Sequence, residues 1–536
     1  MKKRLILALA AVVAAVSCSQ KEPEGGQTAA PVLVSSYPEE GEEITLSGSS
    51  LTVKLTFDQN VKCPTDKREL ISAGEATIEK IVVPGTVDIT LSGLVKDHSY
   101  TLTFPEGTIA NYSDVAAKAF TLSFTTAAGG SGGGGDDDVD TTEPEHGDNA
   151  AWQMADRLRI GWNMGNHMDA YYNGTWAGDK YNYPDETCWG AEPCTQETFN
   201  GVKAAGFTSV RIPITWLNMI GDAPDYTIDE TWMSRVEEIV GYAENAGLNV
   251  IINTHHDENN ADDHWLDILN ASKDATVNAA IKDKIAGFWT NVANRFKDKG
   301  DWLVFESFNE IQDGGWGWSA DFRANPAKQC NVLNDWNQVF VKAVRATGGN
   351  NSTRWLGVPT YAASPSYVDY FALPDDAAGR VMVAVHFYDP NEYTIGEAQY
   401  EQWGHTGTAG KKATWGDEDH VKETFAKLYH RFVEKGVPVY LGEFGCSMRS
   451  KSNTTAWSFY KYYIEYVSKA ARTYGLPCYI WDNGSSDTGQ EQHGYINHGT
   501  GKYIGNSKEI VDLMVKGQTD DSEDYTLTSV YLSAPK

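Results

Sequence analysis

Two acidic residues stand at the ends of two short apolar runs. The first run, WLVF at 302–305, leads to Asn309 and Glu310, and the second, VPVYLGEFG at 437–445, contains Glu443. An apolar run of this length without polar alternation is typical of a strand that is covered on both faces. Parallel strands of α/β enzymes carry their chemistry at their carboxyl ends. Two such carboxyl groups could act as acid, base or nucleophile on a glycosidic bond, although on these two runs alone a structural charge is an equal alternative.

The element pattern that must position these residues is repetitive. Amphipathic helical patterns separate the apolar runs; in one of them Val421, Phe425, Leu428 and Phe432 share a face and Gly436 is suited to the C-cap. Eight β–α units predict a (β/α)8 TIM barrel. A doubly wound open sheet is the alternative, but no glycine-rich phosphate loop follows the first run. The eight candidate strands are 158–163, 209–213, 249–253, 302–308, 354–359, 381–387, 438–443 and 477–481.

Polar residues at the ends of these strands are the candidate site residues. Arg211 and Tyr388 can hold a carboxylate ionised through charge and hydrogen bonding. Asn309 can bind a sugar 2-hydroxyl group, and Trp481 can stack under a pyranose ring. The substrate-binding set predicted from the strand ends is Arg211, His255, His256, Asn309, His386, Tyr388 and Trp481.

Composition restricts the partners. The 536-residue chain has a formal net charge of −29 and a pI of about 4.8, which argues against binding nucleic acid or anionic lipid through charge. A neutral ligand fits better, and the 17 Trp and 27 Tyr residues include candidates for stacking on sugars. We expect a monomer with no nucleic acid partner and no membrane contact other than an N-terminal lipid anchor.

The N-terminus predicts export. A basic start (KKR at 2–4) precedes an apolar stretch at 5–16 that is too short to span a bilayer. The sequence AVSC at 15–18 resembles a bacterial lipobox, which implies a lipoprotein signal peptide at 1–18 and lipidation of Cys18; an ordinary signal peptide is the alternative. The next residues, SQKEPE, resemble signals that send lipoproteins to the outer cell surface. The expected location is therefore the outer membrane, on the cell surface.

The remaining regions divide the chain further. Residues 29–128 contain period-two runs separated by turn residues, which predict a small all-β sandwich. They resemble the bacterial Ig-like domains of secreted enzymes, and we favour a spacer over a glycan-binding module. A Gly/Asp-rich linker at 129–148 follows, then the barrel at 149–517 and an acidic, then short and β-like, tail at 518–536.

Other constellations give weaker signals. The residues His255, His256, Asp257, Asp262, Asp263 and His264 resemble a metal cluster, but their spacing matches neither HExxH nor an EF-hand. We expect no catalytic metal and no cofactor, and a bound calcium would be structural. No GxSxG follows a strand, so a serine triad has no support. The six cysteines after Cys18 include no CxxC, and the sequence does not choose their pairing.

The motifs of the barrel region together resemble a known family. GWNMGN, DETCWG, GFTSVRIPITW, NTHHD, NE, VRATGGNN, HFYDP, GEFG and WDNG occur in this order. Region 150–517 resembles glycoside hydrolase family 5, subfamily 4, whose members are largely endo-β-1,4-glucanases, including cellulases, lichenases and xyloglucanases. The resemblance implies that Glu310 is the acid/base and Glu443 the nucleophile of a retaining mechanism. It also implies family roles for Arg211, His255, Asn309, His386, Tyr388 and Trp481, and matches His256 to the second histidine of the motif HHD.

The chain departs from the family pattern at two places. His167 and Met168 replace the usual Thr-Leu, and Ile311 replaces the proline that commonly follows the acid/base. Trp316 and Trp318 then follow in a loop, either lining the leaving-group side or packing within the loop. These departures affect subsites rather than activity.

The function that we expect is double displacement within a β-1,4-glucan backbone, of cellulose, mixed-linkage glucan or xyloglucan type. The retaining mechanism requires the carboxyl groups of Glu310 and Glu443 to lie roughly 5–5.5 Å apart. One alternative is a surface glycan-binding lipoprotein with a degenerate barrel, and another is the same chemistry on mannan or xylan.

Overall fold

A computed structural model describes residues 29–38, 40–44, 50–83, 87–95, 98–126, 139–173, 183–258, 264–396 and 400–536. The chain divides into two compact units, Met1–Asp138 and Val139–Lys536. Cys18, most of the glycine-rich linker, Asp262 and Asp263 lie outside the described residues. No helix in the described ranges is both long and apolar enough to cross a bilayer.

The first unit is an all-β sandwich, as its alternating pattern predicts. Side chains such as Val53, Leu55, Ile89 and Leu102 are fully buried, while the residues between them are more exposed. Two sheets, ordered β1-β3-β6-β5 and β2-β9-β7, and a β4-β8 pair enclose this core. The strands are β1 (Leu33–Tyr37), β2 (Glu43–Ile44), β3 (Ser50–Phe57), β4 (Val61–Lys62), β5 (Thr77–Val82), β6 (Val87–Ser92), β7 (His98–Phe104), β8 (Ala110–Asn111) and β9 (Phe120–Thr126).

The second unit is built on a closed parallel barrel, which confirms the predicted fold class. Its strand order is β10-β13-β14-β15-β16-β17-β18-β19, and β10 pairs with β19 to close it. Nearly every position of these strands is buried, because helices cover the outside and side chains fill the inside. The barrel strands are β10 (Ile160–Asn163), β13 (Ser209–Ile212), β14 (Asn249–Ile252), β15 (Leu303–Glu306), β16 (Leu356–Pro359), β17 (Val381–Phe387), β18 (Val439–Phe444) and β19 (Cys478–Ile480). A separate two-stranded sheet is formed by β11 (Tyr171–Tyr172) and β12 (Tyr183–Pro184).

Helices flank the barrel and bury their apolar faces against it. In the helix that contains Trp232, the buried side chains recur at helical spacing and Gly247, at φ +70°, follows its end. The helices are α1 (Ala150–Leu158), α2 (Gln196–Ala204), α3 (Glu230–Asn245), α4 (Ile268–Ala271), α5 (Ala275–Arg295), α6 (Ala320–Ala324), α7 (Pro326–Ala346), α8 (Asn391–Thr394), α9 (Glu418–Arg431), α10 (Thr454–Thr473), α11 (Lys508–Thr519) and α12 (Leu527–Leu532).

The C-terminal segment differs from its β-like appearance in the sequence. Residues Leu527–Leu532 form α12, in which Thr526 and Ser529 make a capping box and Leu527 and Val530 are buried. Local capping and packing against the barrel unit therefore override the β propensity of this short stretch.

Candidate active site

Arg211, on β13, is the centre of the buried network inside the barrel rim. Its side chain is fully buried, and each of its three nitrogens donates to neighbouring oxygens. Nη1 donates to Asn163 Oδ1 (3.1 Å) and Glu443 Oε1 (2.8 Å), and Nη2 donates to Asn309 Oδ1 (2.7 Å) and Glu306 Oε1 (2.7 Å). Nε donates to Glu306 Oε2 at 3.1 Å. All five N–H groups of this guanidinium therefore have partners, which fixes its plane and the groups around it.

Glu443, on β18, is held by donors on both oxygens. Arg211 binds Oε1, and the Tyr388 hydroxyl donates to Oε2 at 3.0 Å. Burial raises the pKa of Glu443, while His386 and the guanidinium of Arg211 oppose that rise. Burial also raises the pKa of Tyr388 well above its usual value, so the phenol keeps the proton that it donates. A cationic donor and a phenol favour the carboxylate form of Glu443.

Glu310, after β15, has a different environment. His386 Nδ1 lies 2.6 Å from Glu310 Oε1, and burial lowers the pKa of His386 to about 4, so the ring is neutral near pH 7. Burial, followed by the charge of Glu258, raises the pKa of Glu310 to about 8. Glu310 therefore carries a proton at neutral pH and keeps a second oxygen that can face a leaving group.

The two carboxyl groups lie close together. One oxygen of Glu310 and one of Glu443 lie within 4.8 Å of each other, with a ring nitrogen of His386 in the same group. His386 pairs with Glu443 across β17 and β18, directly after a register shift at Val385 that turns its side chain. This short separation is the arrangement of retaining glycosidases, whereas inverting enzymes leave room for a water between the carboxyl groups.

The other predicted residues surround this pair. His255 Nε2 lies 4.0 Å from Glu443 Oε1, and its ring lies parallel to Trp481 with centroids 5.7 Å apart. The ring of His256 packs against the ring of His255, with the two ring centroids 4.4 Å apart. At Gly165 a Cβ atom would lie 2.6 Å from the Trp481 ring, so glycine is required beneath the indole. Every predicted substrate-binding residue thus lies at the barrel rim near Glu443.

Four further polar residues, which the sequence pattern did not point to, support the site. Glu306 is fully buried within β15 and balances the charge of Arg211. It also accepts hydrogen bonds from Tyr440 (2.7 Å) and Asn253 (2.9 Å). Asn163 on β10 is the fourth. The sequence signal for this network is the carboxylate of Glu306 itself, because an acidic residue in an apolar strand requires a buried partner.

Among the described residues, three groups of side chains have the donor spacing of a metal site: His167, Glu186 and Cys194; Glu310, His386 and Glu443; and Asp169, His255 and His256. In the last group, Asp169 already accepts two backbone N–H groups. Although burial opposes it, Glu258 and then Asp169 raise the pKa of His256 to about 9, so this ring is a cation rather than a metal ligand.

The residues that depart from the family pattern and the two tryptophans of the loop after Glu310 differ in exposure. His167, Met168 and Ile311 are buried and contribute to packing. Trp316 and Trp318 are 53% and 76% exposed, so they do not pack within their loop.

Comparisons with known proteins agree with this geometry. A family model described as cellulase (glycosyl hydrolase family 5) matches residues 169–487, and a bacterial Ig-like domain model matches residues 27–126. Endoglucanase A of Paenibacillus barcinonensis is 35% identical over 383 residues, which cover 68% of this chain and 90% of that protein.

Solved structures are similar as well. A broad specificity endoglucanase of family 5, subfamily 4, from Bacteroides salanitronis is 51% identical with a TM-score of 0.66, and the match covers 70% of this chain and 96% of that one. A family 5 xyloglucanase of Bacteroides ovatus, in complex with a XXXG heptasaccharide, is 26% identical with a TM-score of 0.60, over 91% and 99% of the two chains. Since the cellulase model alone spans more than half of the sequence, the chain belongs to glycosyl hydrolase family 5.

Proposed function

We propose that the protein is a retaining endo-β-1,4-glucanase in which Glu443 is the nucleophile and Glu310 the acid/base. The observation that carries this proposal is the pair of carboxyl groups whose oxygens lie within 4.8 Å of each other, of which Glu443 is bound by Arg211 and Tyr388, while burial raises the pKa of Glu310 to about 8. Glu443 attacks the anomeric carbon while Glu310 protonates the departing oxygen. Water, deprotonated by Glu310, then hydrolyses the glycosyl-enzyme, so the configuration is retained.

The surrounding side chains support both steps. Arg211 and Tyr388 keep Glu443 ionised for attack. The Asn309 oxygen is bound by Arg211, which leaves the NH2 arm of the amide as the donor to a sugar 2-hydroxyl. Once Glu443 is esterified its charge is lost, the pKa of Glu310 falls, and Glu310 can act as a base. The same residue therefore serves as acid and then as base.

Two observations support the proposed substrate class: the aromatic ring of Trp481 in the site and the substrates of similar proteins. Trp481 offers an aromatic face beside the carboxyl pair, and stacking tolerates substituents on sugar edges because it uses the ring face. The Bacteroides salanitronis relative has broad specificity and the Bacteroides ovatus relative is a xyloglucanase. We propose that decorated β-glucans such as xyloglucan are substrates beside undecorated ones.

A panel of polysaccharides tests this function. Rapid viscosity loss with mixed oligomers on xyloglucan, carboxymethylcellulose or mixed-linkage glucan is the expected result. Activity confined to mannan or xylan, or release of only mono- or disaccharides from chain ends, would overturn the substrate assignment. No new reducing ends on any polysaccharide would leave a glycan-binding barrel as the function.

We also propose that the protein is a lipoprotein of the outer membrane, anchored at the cell surface through Cys18. The basic and apolar N-terminal sequence supports this location, and a lipid supplies the apolar anchoring that the acidic chain lacks. Metabolic labelling with a tagged fatty acid should mark the wild-type protein and not Cys18→Ala. An unlabelled wild-type protein would exclude the lipid anchor.

A further inference from the structure

The loop after Glu310 displays two tryptophans to solvent. Trp316 is 53% exposed and Trp318 is 76% exposed, whereas Ile311, Gln312 and Asp313 at the start of the loop are buried. Exposed indoles leave a large apolar area in water, which is unfavourable unless a ligand covers it. Two exposed tryptophans that follow a buried segment are typical of a ligand-binding surface.

The base of this loop is rigid. The Gln312 side-chain oxygen accepts the N–H groups of Gly314 (2.5 Å) and Trp316 (3.2 Å). The Asp313 carboxylate accepts from Gly315 N (3.1 Å), from Ser319 Oγ (2.5 Å) and from Gln329 Nε2 (2.9 Å). These bonds hold the backbone beneath the indoles before any ligand arrives, which lowers the entropy cost of binding.

The backbone at Trp316 is also strained. Its φ is +51°, in the left-handed region that bulky residues rarely adopt. The neighbouring Gly317 has φ +83°, and a Cβ atom there would lie 1.7 Å from the Tyr367 hydroxyl oxygen, so any other residue would be strained and would displace Tyr367. Strain that is fixed by close packing at a large exposed side chain points to a function for that side chain.

We propose that Trp316 and Trp318 form a stacking platform for the glucosyl residues on the leaving-group side of the cleaved bond. This inference rests on the proposed function. The loop leaves the barrel directly after Glu310, which protonates the departing oxygen, so the chain that departs lies on this side. Trp481 and His255, from β19 and β14, instead flank Glu443. Two uncharged ring faces suit a neutral sugar chain, in keeping with the acidic surface of the protein.

Two substrates distinguish this platform from other roles. One is xyloglucan or mixed-linkage glucan, which occupies both sides of the cleavage point. The other is an aryl β-cellotrioside, whose aryl leaving group places no sugar on the leaving-group side. Trp316→Ala and Trp318→Ala should each lower kcat/KM on the polysaccharide by about tenfold, mainly through KM, and should leave kcat/KM on the aryl glycoside within about twofold.

Controls accompany these variants. Trp318→Phe keeps an aromatic ring face, so its kcat/KM on the polysaccharide should fall much less than that of Trp318→Ala. Leu532→Ala removes a side chain of matched exposure (75%) from α12 and should leave kcat/KM unchanged on both substrates. Unchanged aryl glycoside turnover also shows that the variants are folded.

Other outcomes overturn the platform in distinguishable ways. An equal loss on both substrates would show that the indoles act on the other side of the bond or support Glu310. No loss on either substrate would show that they do not contact the glucan. A wild-type protein inactive on every β-glucan would instead overturn the proposed function on which the platform rests.

Discussion

The same side chain, at the end of β18 and in the segment after β15, lies in two different electrostatic environments. At the end of β18, Glu443 is bound by the charged Arg211 and by the hydroxyl of Tyr388. After β15, Glu310 contacts the neutral His386, and burial raises its pKa to about 8. The difference shows that the charge of the neighbouring donors, not burial alone, decides which of two buried carboxyl groups is ionised.

The largest expected effect comes from removing the ionised member of the pair. Glu443→Ala should lower turnover by several orders of magnitude, because no nucleophile remains to form the intermediate. Added azide should restore turnover of an activated aryl glycoside and yield a glycosyl azide of inverted configuration. Near-normal turnover of Glu443→Ala would show that the nucleophile assignment is wrong. Circular dichroism of the variant checks that it is folded.

Removing the protonated member should give a smaller, substrate-dependent effect. Glu310→Ala should lower kcat/KM on polysaccharides roughly 10²- to 10⁴-fold, the usual contribution of a general acid. On an aryl glycoside with a good leaving group kcat/KM should change little, because that group departs without protonation. Azide should now yield a product of retained configuration. The same loss on both substrates would contradict an acid role for Glu310.

The support beneath Glu443 can be weakened without touching either carboxyl group. Glu306→Gln leaves the buried charge of Arg211 without its main counterion and should lower the free energy of unfolding by about 3 kcal/mol. Thermal unfolding of the wild type and variant measures this. Asp512→Asn breaks the exposed pair with Lys508 and should leave the free energy of unfolding nearly unchanged, because solvent screens that pair. Equal losses for the two variants would mean that the buried pair is no more important than a surface one.

The pH profile should report both environments. Activity requires ionised Glu443, so kcat/KM rises with pH through the pKa of that residue. It also requires protonated Glu310, so kcat/KM falls as pH rises through about 8. Glucans do not titrate in this range, so both limbs belong to the enzyme. In Glu310→Ala, assayed on the activated aryl glycoside, the alkaline limb should disappear while the acid limb remains; an unchanged alkaline limb would assign it to another group.

The sequence predicted the charged residues near the ends of the apolar runs but missed Glu306, the buried carboxylate that holds Arg211. Arg211, Glu310 and Glu443 could be found because apolar runs of similar length bring their ends to one rim. Glu306 was not selected because its run reads as apolar and its partner Arg211 lies 95 positions away in sequence. Only the closed barrel brings the two together.

Local backbone detail was also beyond the sequence. The sequence leaves both roles open for Trp316 and Trp318, because their exposure depends on a backbone path that the side chains of Gln312 and Asp313 hold through hydrogen bonds. The helix Leu527–Leu532 forms through capping and tertiary contact that a short β-like stretch does not reveal. In both places, side-chain hydrogen bonds and packing that the residue pattern does not reveal decide the local structure.

Covalent trapping tests the central claim most directly. A 2-deoxy-2-fluoro cellobioside with a good leaving group forms the glycosyl-enzyme quickly and hydrolyses it slowly, because the fluorine disfavours both oxocarbenium-like transition states. Mass spectrometry of the digested protein should find one fluorocellobiosyl unit, on the peptide that contains Glu443. A label on Glu310 or on any other residue, or an inverted product configuration in NMR of the normal reaction, would contradict the account.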